Sequence, residues 1–216
     1  MAITVLPFPD LPYEEFDLVP VNTQQISSMQ DRTTETADFG TAYWSLTTAR
    51  TGKLTRSELD IADAFLQEAS LGKTVFECHC VYRPRPAAYG ATPLSGTRAT
   101  GGAFDGTATL DAVTDSRTIV VSGLPAGFAV NRSCLVEIRK SGTVRSLHRV
   151  MEAATADGGG QITLSILFPL ATSVFTPANS IVNFERPSCL MKLMPGFSAP
   201  KAISARRASF SAKEIF

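Results

Sequence analysis

Few residues in this sequence could carry out nucleophilic chemistry, because it contains only two histidines, His79 and His148. A serine or cysteine nucleophile needs a histidine base that is itself oriented by a third group, and no Gly-x-Ser-x-Gly turn is present. The alternation around His148 places it on the same face of a strand as Val144 and Val150. This pattern is typical of a half-buried strand histidine. We therefore expect no catalytic residue and no enzyme; a small hydrolase using His148 and a carboxylate is the remaining alternative.

Six carboxylates in the second half of the chain are candidates for the acid pair of a glycoside hydrolase. Such a pair requires two carboxyl groups roughly 5 to 9 Å apart. The six candidates are Asp105, Asp111, Asp115, Glu137, Glu152 and Asp157. They could in principle pair, but their dispersed spacing does not show any two of them at that separation, so the sequence does not support a catalytic pair.

The most metal-like cluster is Cys78, His79 and Cys80. On a strand, alternate side chains point to opposite faces, so His79 would point away from both thiols and the three could not bind one tetrahedral ion. Cys134 and Cys189 are distant in sequence and lack paired spacing. We expect no metal site and no cofactor, and we interpret the four cysteines as buried reduced thiols.

A basic and aromatic edge is the main binding feature of the sequence. It consists of Tyr82, Arg83, Arg85, Tyr89 and Arg98. Guanidinium groups beside aromatic rings can stack a nucleobase or a sugar. The alternative interpretation, which so few arginines favour, is that they flank a proline-rich exit from a strand.

Charge is balanced over the whole chain, with 20 basic and 20 acidic residues among 216, which argues against a nucleic-acid or anionic-membrane binder. It is not balanced locally. Residues 1–40 hold seven acids and one base, whereas residues 186–216 hold six bases and one acid. Such polarity is suited to a head-to-tail assembly of identical copies. Pairing of the two ends within one chain is the open alternative.

No membrane span is expected. The longest apolar stretch, residues 162–175, is too short for a bilayer core of about 30 Å and is interrupted by Pro169. The amino terminus lacks the basic start and the unbroken apolar run of an export signal. We therefore expect synthesis in the cytoplasm without export.

One helix is predicted over residues 56–71. Thr55 and Glu58 have the spacing of a capping box, which satisfies backbone donors at a helix start. Apolar residues then recur at spacings of three and four. The predicted inward stripe is Leu59, Ala62, Leu66 and Ala69, widened by Ile61 and Phe65. Gly72 is the predicted stop signal.

Alternation with a period of two predicts strands on both sides of this helix. Trp44 and Leu46 share one face of the upstream strand, and residues 25–30 are its predicted pairing partner. Residues 75–82 form the downstream strand, which ends at Pro84 because proline cannot donate to a sheet.

A second block of strands follows residues 90–103, which read as a linker because they are rich in glycine, proline and small polar residues. Six short strands are predicted there: residues 107–113, 118–122, 134–139, 144–151, 161–167 and 181–184. Their even spacing indicates a small β-barrel or sandwich over residues 104–185. Two further strands, residues 189–194 and 208–215, are too few to fold alone, so we expect them to complete the first sheet.

Four segments resemble the distal tail protein family of long-tailed bacteriophages (siphophages). They are residues 40–46 (GTAYWSL), 56–66 (RSELDIADAFL), 72–76 (GKTVF) with Pro84 and Pro86, and 208–216 (ASFSAKEIF). The resemblance covers essentially the whole chain. It implies a mainly β protein, in which residues 1–89 and 186–216 form a tail-tube-like β-sandwich with one flanking α-helix and residues 104–185 form an inserted domain.

The same resemblance implies a structural virion protein of the phage tail, located at the junction of tail tube and baseplate. Its implied partners are further copies in a homohexameric ring, the tail tube protein, and the baseplate hub or other tail-tip proteins, with DNA only as passing cargo. Two alternatives stay open: a tail tube or minor tail protein, and a tail-tip module whose inserted domain binds host-surface carbohydrate.

Overall fold

A computed structural model describes residues 3–28, 34–38, 40–51, 53–197 and 208–215. The chain divides into two compact units. Unit 1 comprises residues 1–76 and 191–215, and unit 2 comprises residues 77–190 with residue 216. Unit 1 is therefore discontinuous, and the whole of unit 2 except its last residue lies between its two parts.

The described elements are sixteen strands, one α-helix and one short 3-10 helix. In chain order they are β1 (Thr4–Leu6), β2 (Tyr13–Val21), β3 (Gln24–Ser28), β4 (Thr34–Asp38), β5 (Tyr43–Thr51), α1 (Arg56–Ser70), β6 (Thr74–His79), the 3-10 helix (Ala87–Tyr89), β7 (Thr107–Asp115), β8 (Thr118–Ser122), β9 (Ala129–Val130), β10 (Leu135–Ser141), β11 (Val144–Arg149), β12 (Ala154–Thr155), β13 (Ile162–Ser165), β14 (Ile181–Asn183), β15 (Ser188–Leu193) and β16 (Phe210–Glu214). The protein is thus mainly β.

The first sheet has the strand order β1-β6-β15-β16-β5-β2. Its last strand in sequence, β16, lies inside the sheet, since Ala212 is paired with Leu193 on one side and with Leu46 on the other. The prediction that the chain returns to complete its first sheet is confirmed.

The predicted partner of β5 is wrong. β5 pairs antiparallel with β2, where Leu18 lies opposite Leu46. Strand β3 instead pairs with β4 in a separate two-stranded hairpin, and residues 29 and 30 of the predicted partner lie outside the described residues. The reason is burial: Leu18 is buried against the sheet, whereas Gln24 and Gln25 are exposed.

Helix α1 begins as predicted. Thr55 Oγ1 accepts a hydrogen bond from the Glu58 amide at 3.3 Å, and Glu58 Oε2 accepts one from the Thr55 amide at 2.7 Å. The buried face is Ala62, Phe65, Leu66 and Ala69. Ile61, predicted to widen this face, is 50% exposed. No helix among the described residues is long and apolar enough to cross a membrane.

The end of α1 differs from the prediction, because Gly72 does not adopt a left-handed conformation. The Lys192 ammonium group caps the helix from β15 instead. It donates to the carbonyl oxygens of Ala69 at 3.3 Å, Thr74 at 2.8 Å and Leu71. A positive charge at this position satisfies exposed carbonyl groups and opposes the negative end of the helix dipole.

Aromatic rings fill the space between α1 and the first sheet. The Phe65 ring on α1 lies 5.2 Å from Phe76 on β6 and 6.0 Å from Phe210 on β16. Phe8 lies 6.0 Å from Phe76. Trp44 and Leu46 are buried on β5, as their alternation predicts. The core of unit 1 therefore joins residues from both ends of the chain.

Glu214 on β16 is a mostly buried carboxyl group in unit 1. Its Oε2 accepts a hydrogen bond from the Trp44 amide at 2.9 Å. Burial raises the pKa of Glu214 from 4.5 to about 7, and this hydrogen bond only partly opposes the rise. The folded state therefore binds a proton at Glu214 more tightly than the unfolded chain does.

We expect unit 1 to lose stability as the pH rises from 4.5 through 7, because ionisation of Glu214 is easier in the unfolded chain. Allowing for its partial exposure, the loss should be about 2 kcal/mol. The Glu214→Gln variant should abolish it, while Glu68→Gln, an exposed control on α1, should retain it. Fluorescence of Trp44, the only tryptophan, measures the unfolding of unit 1. An equal loss in Glu214→Gln would contradict this prediction.

Unit 2 contains a second six-stranded sheet with the order β11-β10-β14-β7-β8-β13, antiparallel throughout. All six strands predicted from alternation are present in it. The predicted barrel is not formed. A single bridge between Val150 and Ile166 joins the ends of the two edge strands, and within the described chain the sheet is otherwise open along those edges. The edge strands β11 and β13 have only six and four residues, which leaves little edge for closure.

Residues 90–103, predicted as a linker, belong to unit 2. Leu94 is buried in the core of this unit together with Phe104. A bridge joins Thr97 to Ala103. Unit 2 also includes residues 77–89 and 186–190, which the sequence assigned to the first domain. Residues 90–103 belong to unit 2 because Leu94 is buried in the core of that unit.

Candidate functional site

A groove in unit 2 has several charged residues in its walls. It is lined by residues 81–85, 87, 90–91 and 132–134, and its cavity volume is about 550 Å³. Two chain segments that are distant in sequence form its walls. The first follows β6, and the second precedes β10.

Tight turns hold both walls. The Arg83 amide donates to the Cys80 carbonyl at 3.2 Å, which turns the chain directly after β6. On the other wall the Cys134 amide donates to the Asn131 carbonyl at 3.2 Å, and the Ser133 amide donates to Val150 at 2.8 Å. Ser133 has a φ of 73°, in the left-handed region that disfavours a side chain. The surrounding bonds therefore impose an unfavourable conformation at the groove wall.

Arg85 is a structural arginine within this groove. Its guanidinium binds Glu185 through two of its nitrogens, with Nε at 2.7 Å from Oε2 and Nη2 at 2.5 Å from Oε1. Nη1 donates to the Ala91 carbonyl at 2.9 Å, and Glu185 Oε2 also accepts from the Leu94 amide at 3.0 Å. The pair fastens the groove wall, and its two charges cancel.

The charges of Arg83 and Arg132 are not cancelled. Both side chains are exposed, and neither has a carboxylate partner among the described residues. Arg83 Nη1 donates only to Ser133 Oγ, at 3.4 Å. Burial lowers the pKa of Arg149, and the positive charge of nearby Arg83 lowers it further. The groove therefore carries a local excess of positive charge. Tyr82 lies at its rim and is 58% exposed.

The structure brings together only part of the predicted basic edge. Arg98 lies elsewhere in unit 2, where it donates to the carbonyls of Gly123 at 2.7 Å and Ala103 at 3.1 Å. Tyr89 stacks on Phe128 at 4.9 Å and takes no part in the groove. Arg132 lines the groove, whereas Arg98 and Tyr89 do not. Arg132 could not be predicted as part of this groove, because no local sequence pattern shows that residues 83 and 132 lie close together.

His148 is fully buried on β11, not half-buried as predicted. Its Nε2 lies 2.9 Å from Ser146 Oγ, and its Nδ1 has no hydrogen-bond partner. Burial lowers its pKa to about 4. The ring is neutral at pH 7 and out of reach of solvent, so it cannot accept a proton from a substrate.

Most of the six candidate carboxylates hold loops. Asp157 accepts from the amides of Gly159 and Gln161 at 2.9 Å each, and Asp111 accepts from the Gln161 side chain. Hydrogen bonds from Thr107 lower the pKa of Asp105, and one from Arg117 lowers that of Asp115. Glu152 is exposed, and Glu137 is buried in the ionic cluster described below.

The cysteine and histidine cluster is dispersed. Cys78 is buried in β6, and burial raises the pKa of its thiol well above the usual value. Cys189 Sγ lies 3.9 Å from the Cys78 carbonyl oxygen. All four cysteines are free thiols, of which Cys80 is partly exposed. No group of three potential metal ligands is gathered within the described ranges.

A buried ionic cluster in unit 2 was not predicted. Arg145 Nη2 donates to Glu77 at 2.8 Å, and Nη1 donates to Ser188 Oγ at 2.8 Å. Nη1 also lies 3.4 Å from Oε1 of Glu137, an atom without a hydrogen bond, so these two groups interact as an ion pair. Glu137 Oε2 accepts from Asn183 at 3.0 Å and from the Ser188 amide at 3.1 Å. The cluster joins β10, β11 and β14 to the unit-2 ends of β6 and β15.

No protein-family model and no curated protein matches this sequence.

Proposed function

We propose that this protein is a structural virion protein of a bacteriophage tail, a distal tail protein that forms a homohexameric ring between the tail tube and the baseplate hub. The sequence resemblance supports this proposal. So does the discontinuous organisation of unit 1, whose sheet and single flanking helix are completed by a strand from the chain end. In the proposal, unit 1, with its six-stranded sheet, forms the ring and unit 2 is the inserted domain.

The observation that carries the proposal is that the unit-1 sheet has two different open edges, β1 and β2, among the described strands. Each edge displays an exposed apolar side chain: Ile3 precedes β1 and is 50% exposed, and Val19 on β2 is 41% exposed. Unpaired strand edges with apolar side chains favour pairing with another chain. Because the two edges differ, a contact between them would be head-to-tail, which is the type of contact that generates rings.

Charge along β2 is suited to the same contact. Glu15 and Asp17 are exposed on this edge. Their expected basic counterparts, Lys201, Arg206 and Arg207, lie outside the described residues. The polar β3–β4 hairpin, with Gln25 and Glu35 exposed, is the segment we assign to the ring lumen, where acidic and polar groups let DNA pass as cargo without binding it.

Native mass spectrometry of the full chain tests the ring. We expect a hexamer at micromolar concentrations, and we expect Val19→Lys to shift it to monomer because the charge would be buried in the contact. Ile181→Lys is the matched control, since Ile181 is similarly exposed (39%) but lies on an interior strand of unit 2. A wild-type protein that stays monomeric, alone and with tail tube protein and hub, would overturn the proposal.

Electron microscopy separates this function from its nearest alternative. A distal tail protein is expected to form discrete rings, whereas a tail tube protein is expected to form stacked tubes of variable length. Tubes growing from purified protein would replace the proposed position at the junction with one along the tail tube.

A further inference from the structure

We propose that the groove of unit 2 binds a small ring compound carrying a phosphate monoester, with Arg83 and Arg132 binding the phosphate. This site is independent of the proposed ring, because it is built from unit 2 alone.

The first argument is charge. Arg83 and Arg132 border one groove without a carboxylate partner, and a third guanidinium, Arg149, is close enough for its pKa to respond to Arg83. Glu185, an acid beside this groove, is held by Arg85 through two bonds. The chain as a whole has no net charge, so this excess is local. Like charges that lie close together repel, and a bound anion reduces that repulsion.

The second argument is the type of anion. Guanidinium groups are planar forks that bind phosphate and carboxylate oxygens in pairs. A carboxylate supplies one charge, whereas a phosphate monoester supplies nearly two at neutral pH. Two exposed guanidiniums on opposite walls of one groove therefore match phosphate better. Ser133 supports this arrangement, since its hydroxyl group holds Arg83 towards the second wall from a strained backbone position.

The third argument is the rest of the groove. Its volume of about 550 Å³ falls within the roughly 300 to 1,000 Å³ of small-molecule sites. Val81, Pro84 and Ala91 supply apolar lining beside the charged groups. Tyr82, which is 58% exposed, adds an aromatic side chain at the rim. A bare anion would leave these surfaces unused, so we assign a ring to the ligand.

Isothermal titration calorimetry of the full chain tests this site with four probes: adenosine monophosphate, ribose 5-phosphate, inorganic phosphate and ribose. We expect the two ring phosphates to bind more tightly than inorganic phosphate, and ribose not to bind. Arg83→Gln and Arg132→Gln should each weaken binding about tenfold or more. Arg117→Gln, an exposed arginine of unit 2 outside the groove, is the matched control and should bind as the wild type does.

Arg132→Lys keeps the charge but loses the fork, so its affinity should fall between those of the wild type and Arg132→Gln. Circular dichroism on each variant establishes that the fold is retained, as expected for exposed side chains. Binding of ribose as tight as that of ribose 5-phosphate would overturn the role of the phosphate. Inorganic phosphate binding as tightly as the ring phosphates would overturn the role of the ring. No binding of any phosphate at millimolar concentration, or equal weakening by Arg117→Gln, would overturn the site.

Discussion

Replacing Arg145 by methionine is expected to lower the free energy of unfolding of unit 2 by about 3 to 5 kcal/mol. The Glu137 carboxylate is only 1% exposed, and Arg145 is its closest cation, at 3.4 Å. Methionine keeps much of the volume of arginine but leaves Arg139, whose Nε lies 4.0 Å from Glu137 Oε1, as the nearest counter-charge within the described chain. Burial of a carboxylate that is so weakly compensated is strongly destabilising.

The double variant Glu137→Gln with Arg145→Met distinguishes loss of charge pairing from loss of packing. The glutamine side chain introduced in place of Glu137 would still accept a hydrogen bond from the Ser188 amide or Asn183, so the pair of substitutions removes both charges and leaves most polar contacts in place. We expect the double variant to be more stable than Arg145→Met alone, with a coupling free energy of about 2 to 3 kcal/mol.

The matched control is Glu77→Gln, at the outer end of the same cluster. Glu77 accepts from Arg145 at 2.8 Å, but its side chain is 42% exposed, so its loss should cost about 1 kcal/mol or less. Hydrogen exchange of unit-2 peptides, followed by mass spectrometry, measures the wild type, these three variants and the Glu137→Gln single variant that completes the cycle. Additive effects of the two substitutions would show that Glu137 and Arg145 do not act as a pair.

The elements that sequence patterns predicted are those specified by neighbours along the chain. The start of α1 follows from Thr55 and Glu58, which are three residues apart, and the six strands of the second sheet follow from alternation within each strand. Strand β2 was missed because it contains Pro20 and three acids. Proline and charged residues are tolerated on an edge strand, where one side of the backbone has no partner.

The contacts that sequence patterns could not predict join distant residues. Lys192 caps a helix 121 residues away, at Leu71, and Arg83 meets Ser133 across 50 residues. Arg145 reaches Glu77 across 68 residues. The local sequence around each residue does not predict these contacts, because they depend on the order of the strands in the sheets. For the same reason the wall of the basic groove that follows β6 was predicted from the sequence, whereas the wall formed by residues 132–134 was not.

The titration of His148 is expected to make unit 2 lose about 2 kcal/mol of stability between pH 6.5 and pH 5. Burial lowers the pKa of this histidine from 6.5 to about 4, so the folded state binds a proton less tightly than the unfolded chain does. The stabilisation is therefore fully present above pH 6.5 and is lost as the pH falls towards 4. Asp105 and Asp115 contribute only at lower pH, because their pKa values are lowered from 3.8.

His148→Gln removes this titration and can keep a hydrogen bond to Ser146, so the variant should be less stable than the wild type at pH 8 but nearly independent of pH between 6.5 and 5. His79→Gln retains His148 and should keep the acid loss. Hydrogen exchange of unit-2 peptides, corrected for the pH dependence of intrinsic exchange, isolates this effect from Glu214 in unit 1, which changes stability in the opposite direction over overlapping pH values. If His148→Gln keeps the wild-type acid loss, a group other than the buried imidazole must take up the proton on unfolding.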